Sequence, residues 1–375
     1  MSKSKSFLAS ISAFLLSVFA SPASAEYALN LPEPVAPLTA QMYDLHMLTT
    51  KIATIIMVIV IGLVTYAILR FRKSKGFEAD QNFHKSAFGT WSWILVPVIV
   101  LGIDLTIAGS AIDALNQVED YSQKNDVTVK VIGSQWKWTY EYMEDDVRVV
   151  SNMLSKEEAG EHYLRAVDNP LVLPVGKRIR FLHTASDVLH AWWVPEIVYK
   201  KDSIPGYINE TWTIIEKEGT YRGQCAENCG TGHAFMPIVV EAVSQDKYDA
   251  WMTEKKSAMQ VAAAEASSDK TWTLEELMTR GEQVYNTNCV ACHQANGEGV
   301  PGAFPALKGG PIATGPVEGH IDMVMNGSSK NPVMAAWAGA LNDLELAALI
   351  TYERNAWGNN TGDVIQPSDI KSVRK

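Results

Sequence analysis

The sequence predicts a multidomain protein in three parts: a two-helix transmembrane hairpin, a Greek-key β-sandwich and a small all-α domain. Three patterns carry that expectation. Two long apolar runs lie near the amino terminus, a stretch of alternating apolar and polar residues follows, and the carboxyl-terminal part repeats its apolar residues at helical spacing. The chain has 375 residues, 47% of them hydrophobic, which is ample for more than one core. Its formal net charge of −10 argues against nucleic acid as a partner and for a basic protein or a cation.

Residues 1–25 read as a secretory signal: Lys3 and Lys5, an apolar stretch from Phe7 to Ala20, and the small-residue site Ala23-Ser24-Ala25. Two membrane spans are then expected within 26–120, at about 48–69 and 91–115, because Ile52 to Leu69 carries no charge and Trp91 to Leu115 is interrupted centrally only by Asp104. The connection between them holds Arg70, Arg72, Lys73, Lys75 and Lys85, whereas Glu26 to Thr50 has neither Lys nor Arg. Positive loops stay in the cytoplasm, so the amino-terminal flank and everything beyond the second span are expected on the outer side.

From Asp126 the stretch VTVKVIGSQWKWTYEYM places Val127, Val129 and Val131 on one face and then Trp136, Trp138, Tyr140 and Tyr142 in register. Similar alternation in LVLPVGKRIRFLHTA, YINETWTIIEKEGTY and MPIVVEAV, with Pro and Gly turns between, predicts the sandwich over 121–250. The Ala-, Ser- and charge-rich segment 251–270 reads as a linker, partly helical, that lets the following domain swing. The all-α domain is expected over 271–360, its first helix marked by Thr273 and Glu276 at capping-box distance, with a tail at 361–375.

The all-α domain holds CVACH, Cys289 to His293, the pattern for covalent attachment of a c-type haem: Cys289 and Cys292 add to the vinyl groups and His293 ligates the iron. A thioredoxin-like pair would sit beside a βαβ pattern, which is lacking, and a zinc site would need further ligands nearby. The segment from about Trp272 to Trp357 resembles class I cytochromes c. That resemblance implies Met334, in the loop before the final helix, as the second axial ligand, and leaves Met323 and Met325 as packing residues.

The second motif is CAENCGTGHAFM, Cys225 to Met236. Two cysteines in an exported protein suggest a disulfide, but a disulfide does not account for His233 and Met236 at these offsets. Zinc rarely takes a thioether, whereas copper accepts thiolate, imidazole and a weak methionine together; with two cysteines the soft donors suffice for two copper ions sharing both thiolates. The chain resembles subunit II of haem-copper cytochrome c oxidases in the form with a fused cytochrome c domain. That family's loop, Cys-x-Glu-x-Cys-x3-His-x2-Met, is matched at every ligand position, and its preceding segment is SDVLHAWWVPEIVYKKDSIPGYIN.

The resemblance implies a cupredoxin-like sandwich with a dinuclear copper A centre. Cys225 and Cys229 would be the bridges, His190 and His233 the terminal ligands, Met236 a weak ligand and the Glu227 carbonyl the last; the Glu227 side chain would reach a magnesium ion at the border with subunit I. It also implies oxidase subunit I and other oxidase subunits, the lipid bilayer and a cytochrome c donor as partners, with the protein in a bacterial inner membrane. Trp136, in GSQWKWTYEYMEDD, holds the family's electron-entry position, with sandwich packing the plainer role for it and for Trp138. Two departures stand out: Lys137 replaces the usual aromatic between the tryptophans, and FGTWSWILVP lacks the glutamate often found near the start of the second span. His46, His84, His162, His183 and His320 lack partner clusters and are read as structural. A copper A subunit of a nitric oxide reductase shares the same loop and is the alternative function; a copper chaperone would have no use for a covalent haem.

Overall fold

The computed structural model describes residues 30–374 apart from 79–80, 269 and 331–332; the expected signal segment lies outside the described residues. Two long helices, α1 (Pro37–Arg70) and α2 (Ala87–Val118), pack together and contain the expected spans. At 1.5 Å per residue α1 is about 50 Å long, well beyond a hydrocarbon core of about 30 Å. The excess lies at its amino-terminal end, where Leu38 is fully buried and the Thr39 hydroxyl donates to the carbonyl of Glu196. The backbone there is stitched to the sandwich by Val35 N–H to Glu196 O and Glu216 N–H to Val35 O, both 2.9 Å. Further along, the apolar side chains face outward: Val58 is 66% exposed and Trp93 78%. Apolar surface of that extent needs lipid or a partner subunit to cover it. Asp104, within α2, is likewise uncovered by this chain.

The sandwich comprises β1 (Val127–Ser134), β2 (Lys137–Tyr142), β3 (Val147–Ser151), β4 (Leu171–Pro174), β5 (Arg178–Ala185), β6 (His190–Val194), β7 (Val198–Ser203), β8 (Asn209–Ile214), β9 (Gly219–Cys225) and β10 (Pro237–Val243), with one helical turn, α3 (Lys156–Ala159), between β3 and β4. One sheet runs β3-β2-β1-β5-β8 and the other β4-β10-β9-β6-β7. The strand alternation turns Val129, Val131, Trp138, Tyr140 and Phe181 inward from the first sheet to meet Trp192, Ile238 and Val240 from the second. Trp192 is thus core. His183 is also core, bonded through Nε2 to the Thr211 hydroxyl at 2.8 Å and held neutral by burial, which draws it down to about 3.

Helix α4 (Gln245–Ala266) leaves the last strand and continues through most of the segment expected as a linker. Its alanines have the highest helix propensity, so the helical part of the expected linker extends to Ala266. Ion pairs from its middle and its end, Lys256–Asp145 to the sandwich and Glu265–Arg280 to the next helix, tie it to both domains.

The carboxyl-terminal domain is all-α: α5 (Leu274–Asn288), the single turn α6 (Val290–His293), α7 (Val317–Asn326), α8 (Asp343–Asn355) and α9 (Pro367–Val373). The expected capping box opens α5, with Glu276 N–H donating to the Thr273 hydroxyl and Thr273 N–H to the Glu276 carboxylate. Helix α5 crosses α8 at Gly281, where a Cβ would stand 2.1 Å from the Ala348 carbonyl oxygen and 2.6 Å from Tyr352 Cβ. Backbone cannot give way as a side-chain tip can. Gly281→Val should therefore destabilise this domain by about 1–3 kcal/mol, or roughly 5–15 °C in its melting temperature; calorimetry showing no shift would disprove this account of the crossing.

Candidate metal centre

The loop after β9 brings the second motif back on itself. The ligand atoms of His190, Cys225 and Cys229 all lie within 4.8 Å of one another, and all three residues are buried. Both thiols are free, 3.9 Å apart, a distance at which no disulfide exists. His233 Nδ1 stands 3.4 Å from Cys229 Sγ, Met236 Sδ is 3.5 Å from the same sulfur, and the Glu227 carbonyl oxygen is 3.4 Å from Cys225 Sγ. Each donor atom expected for copper thus lies within 3.9 Å of the Cys225 or Cys229 sulfur. Two thiols, two imidazole nitrogens, a thioether and a carbonyl suit copper and not a hard cation.

The electrostatics of the two thiols differ. Burial disfavours the Cys225 thiolate, but the interaction with His190 and with the surrounding backbone outweighs it and brings that thiol down; burial and the neighbouring Cys225 charge push Cys229 up. One thiolate forms readily and the second is favoured by an arriving cation.

Sequence reading missed the residues that hold this cluster. Asp187, three positions before His190, accepts from His190 Nε2 at 2.9 Å, which fixes the proton on Nε2 and leaves Nδ1, 3.8 Å from Cys225 Sγ, free to ligate. The other carboxylate oxygen of Asp187 accepts from Gln135 N–H at 2.7 Å. A carboxylate one turn from a ligand histidine was the available signal. The tryptophans act likewise: Trp136 Nε1–H donates to the Cys229 carbonyl at 3.1 Å, and Trp138 Nε1–H to the Met236 carbonyl at 3.2 Å. Gly232 must be glycine, because a Cβ there would fall 2.2 Å from Trp136 Cδ2. Asp187→Ala should lower copper affinity by about 10–100-fold, read by competition with a chelator; unaltered affinity would show that His190 is oriented by packing alone.

Of the expected haem residues, Cys289, Cys292 and His293 share one turn, and Met334 lies in a separate loop. Helix α6 folds Cys289 to His293 into one turn, with His293 N–H donating to the Cys289 carbonyl at 3.0 Å. His293 Nδ1–H donates to the Pro305 carbonyl at 2.9 Å, so Nε2 carries no proton and is available to a metal. Cys289 and Cys292 are free, and burial pushes both thiols up. Met334 is half-buried in a loop folded back on α7, its carbonyl accepting from Ser328 N–H at 2.9 Å. His320 has a separate duty: it is buried against Glu353, with Nε2 to carboxylate 2.7 Å. The side chain of Glu227 accepts from Lys200 at 3.1 Å.

The two domains meet on one face. Phe304 and Cys292 of the carboxyl-terminal domain pack against the sandwich core cluster that includes Trp136, Cys225 and Cys229. The rings of Trp136 and Phe304 lie edge to face, 5.9 Å between centroids. Beside them Lys137 Nζ donates to the Thr287 carbonyl at 3.3 Å and to Asn288 Oδ1 at 3.0 Å.

A membrane hairpin bearing a sandwich with a soft-donor cluster, abutting an all-α domain whose CVACH turn presents two thiols and an imidazole, suits a membrane-anchored electron-transfer protein. The comparisons are specific. Residues 24–108 match the family model for the transmembrane domain of cytochrome c oxidase subunit II, and 127–243 that for its periplasmic domain. Residues 276–352 match the model described as cytochrome c oxidase, cbb3-type, subunit III, a cytochrome c domain. Among relatives, the probable cytochrome c oxidase subunit 2 of Rickettsia conorii is 38% identical over 230 residues, 60% of this chain and 71% of that one. The Arabidopsis thaliana subunit 2 is 34% identical over 241 residues, 62% of this chain and 91% of that one. The crystal structure of the periplasmic domain of subunit II of cytochrome oxidase of Bradyrhizobium japonicum is 39% identical, with a TM-score of 0.34, covering 36% of this chain and 97% of that one. The chain belongs to the cytochrome c oxidase subunit II family, and it carries a carboxyl-terminal cytochrome c domain in addition. Its role is electron transfer within an oxidoreductase complex.

Proposed function

We propose that this subunit takes electrons from a cytochrome c-like donor into its carboxyl-terminal domain, passes them to a dinuclear copper A centre in the sandwich, and delivers them to subunit I, where oxygen is reduced to water with proton pumping. The observation that carries the reading is the convergence of six soft or neutral donors at His190, Cys225, Glu227, Cys229, His233 and Met236, directly behind the face where the CVACH-bearing domain rests. When bound, the copper pair and a covalent haem c supply one-electron carriers. The rest falls to the chain's own side chains.

Cys225, Cys229, His190 and His233, with Met236 and the Glu227 carbonyl, would hold the coppers. Burial of His190, Cys225, Cys229 and Met236 keeps water from most of the cluster, and Asp187, Trp136 and Trp138 hold the donors still. Cys289 and Cys292 would anchor the haem, His293 ligate it and Met334 complete the axial pair, a combination that raises the potential. Trp136 is the entry point for the tethered domain, since its indole touches Phe304 on one side and the Cys229 carbonyl on the other. Of a magnesium site at the border with subunit I this chain supplies Glu227; Lys200 must move off that carboxylate as the neighbour docks. Asp104 and the outward apolar face of the hairpin would meet subunit I and lipid in a bacterial inner membrane, both exported domains lying on the outer side.

Stopped-flow spectroscopy on the purified complex tests the order: the carboxyl-terminal haem should be reduced first, and a near-infrared band of the mixed-valent copper pair should bleach second. Copper reduced at full rate while that haem stays oxidised would overturn the proposal.

A further inference from the structure

We propose that Lys137 is the docking residue that clasps the carboxyl-terminal domain onto the copper domain, by holding together the two segments that carry the haem-side ligands. The inference rests on the electron route above and explains the one place where the aromatic segment departs from its family pattern.

The contacts of the ammonium define the clasp. It donates to the Thr287 carbonyl and to Asn288 Oδ1, at the end of α5 directly before Cys289. The same ammonium lies 5.1 Å from the ring centre of Trp337, three positions beyond Met334. A single cation from the sandwich thus touches the chain on both sides of the attachment turn. The Asn288 amide is set for this: its Nδ2 donates to the Val284 carbonyl at 3.0 Å, which turns Oδ1 toward Lys137. The last carbonyls of a helix carry its partial negative charge, and an indole face attracts a cation. None of these acceptors is ionised, and the site is largely removed from water, burial drawing the Lys137 amine down to about 8. A contact of that kind is less sensitive to salt than a surface ion pair.

Neighbouring contacts show why this grip matters. Trp136, the residue before Lys137, meets Phe304 edge to face, and Cys292 packs against the same core cluster as Cys229. Holding Thr287, Asn288 and Trp337 at Lys137 therefore holds the attachment turn against Trp136. The tether through α4 makes docking intramolecular, so a few modest contacts suffice to keep the domain seated. A phenylalanine at 137 would offer no donor to either carbonyl, and no neutral aromatic would bring a cation to the Trp337 ring. Each transfer removes one electron from the carboxyl-terminal domain and adds one to the copper domain, and Lys137 gives up no proton in it.

The test uses the complete oxidase complex carrying Lys137→Met, Lys137→Glu or Lys137→Arg, with copper and haem content and both reduction potentials measured as controls. Pulsed dipolar paramagnetic resonance between the oxidised haem and the mixed-valent copper pair reads the docking distance, and flash-induced transfer reads the rate. Wild type should give one narrow distance. Lys137→Met should broaden it and slow internal transfer by about tenfold, Lys137→Glu should do more by facing carbonyl oxygens with a carboxylate, and Lys137→Arg should restore most of both. If Lys137→Met and Lys137→Glu keep the wild-type distance distribution and rate, the clasp is disproved. A wild-type complex that shows the narrow distance but no transfer to copper would instead overturn the electron route and leave the docking role standing.

Discussion

Replacing Cys229 with serine should give a chain that folds, spans the membrane and attaches haem but holds no copper pair. Cys229 Sγ is the hub of the cluster, 3.9 Å from Cys225 Sγ, 3.4 Å from His233 Nδ1 and 3.5 Å from Met236 Sδ. A serine hydroxyl keeps nearly the same volume but is a hard donor that stays protonated, so it cannot bridge two soft ions. The loop itself should persist, because Trp136 and Gln135 bind the backbone carbonyl of residue 229 and not its side chain. Copper content should fall from a pair to a single atom at most, the near-infrared band should vanish, and turnover with oxygen should be lost. A serine variant with a full copper pair and an unchanged band would remove Cys229 from the centre.

Replacing His293 with alanine should disable electron entry while sparing copper. The histidine is the last residue of the attachment turn, and its Nδ1–H bond to the Pro305 carbonyl directs the unprotonated Nε2 outward for an axial bond. Without it the haem would be tied by its thioethers but lack its proximal ligand, with a changed spectrum and potential. Donor-driven reduction of copper should slow at least as much as loss of an outer-shell partner costs, about 10–100-fold. Copper content and the near-infrared band should match wild type, since the sandwich donors lie in another domain. Copper reduced at the wild-type rate would take the carboxyl-terminal domain off the route.

The two variants divide the molecule as its sequence does. The spacing of Cys225, Cys229, His233 and Met236 is local, and a loop that brings four donors together within twelve residues can be read without knowing the fold. The same is true of CVACH, where one helical turn sets the geometry, and of the capping box at Thr273 and Glu276. The membrane hairpin was legible because lipid imposes length and apolarity directly on the chain. His190 needed more: it stands 35 residues before Cys225, and only a resemblance singled it out from His183, which the fold buries beside Thr211. The segment 251–270 read as a partly helical linker because high alanine content with charge suits a tether or a helix equally; the helix runs to Ala266, with ion pairs to the sandwich and to α5.

What the sequence determined by itself was therefore the chemistry: which donors are present, how soft they are, and that a CVACH turn in an all-α domain follows a sandwich behind two apolar spans. Tertiary structure alone decided orientation. Asp187 turns His190 Nδ1 toward the thiols, Trp136 braces the copper loop while touching Phe304, and Lys137 meets Thr287 and Asn288 from 150 residues away. The physical reason is range. Ligand identity and short spacings are fixed by covalent neighbours, whereas the side chains that aim and clasp those ligands come from strands and helices that meet only when the sheets and the all-α domain have packed.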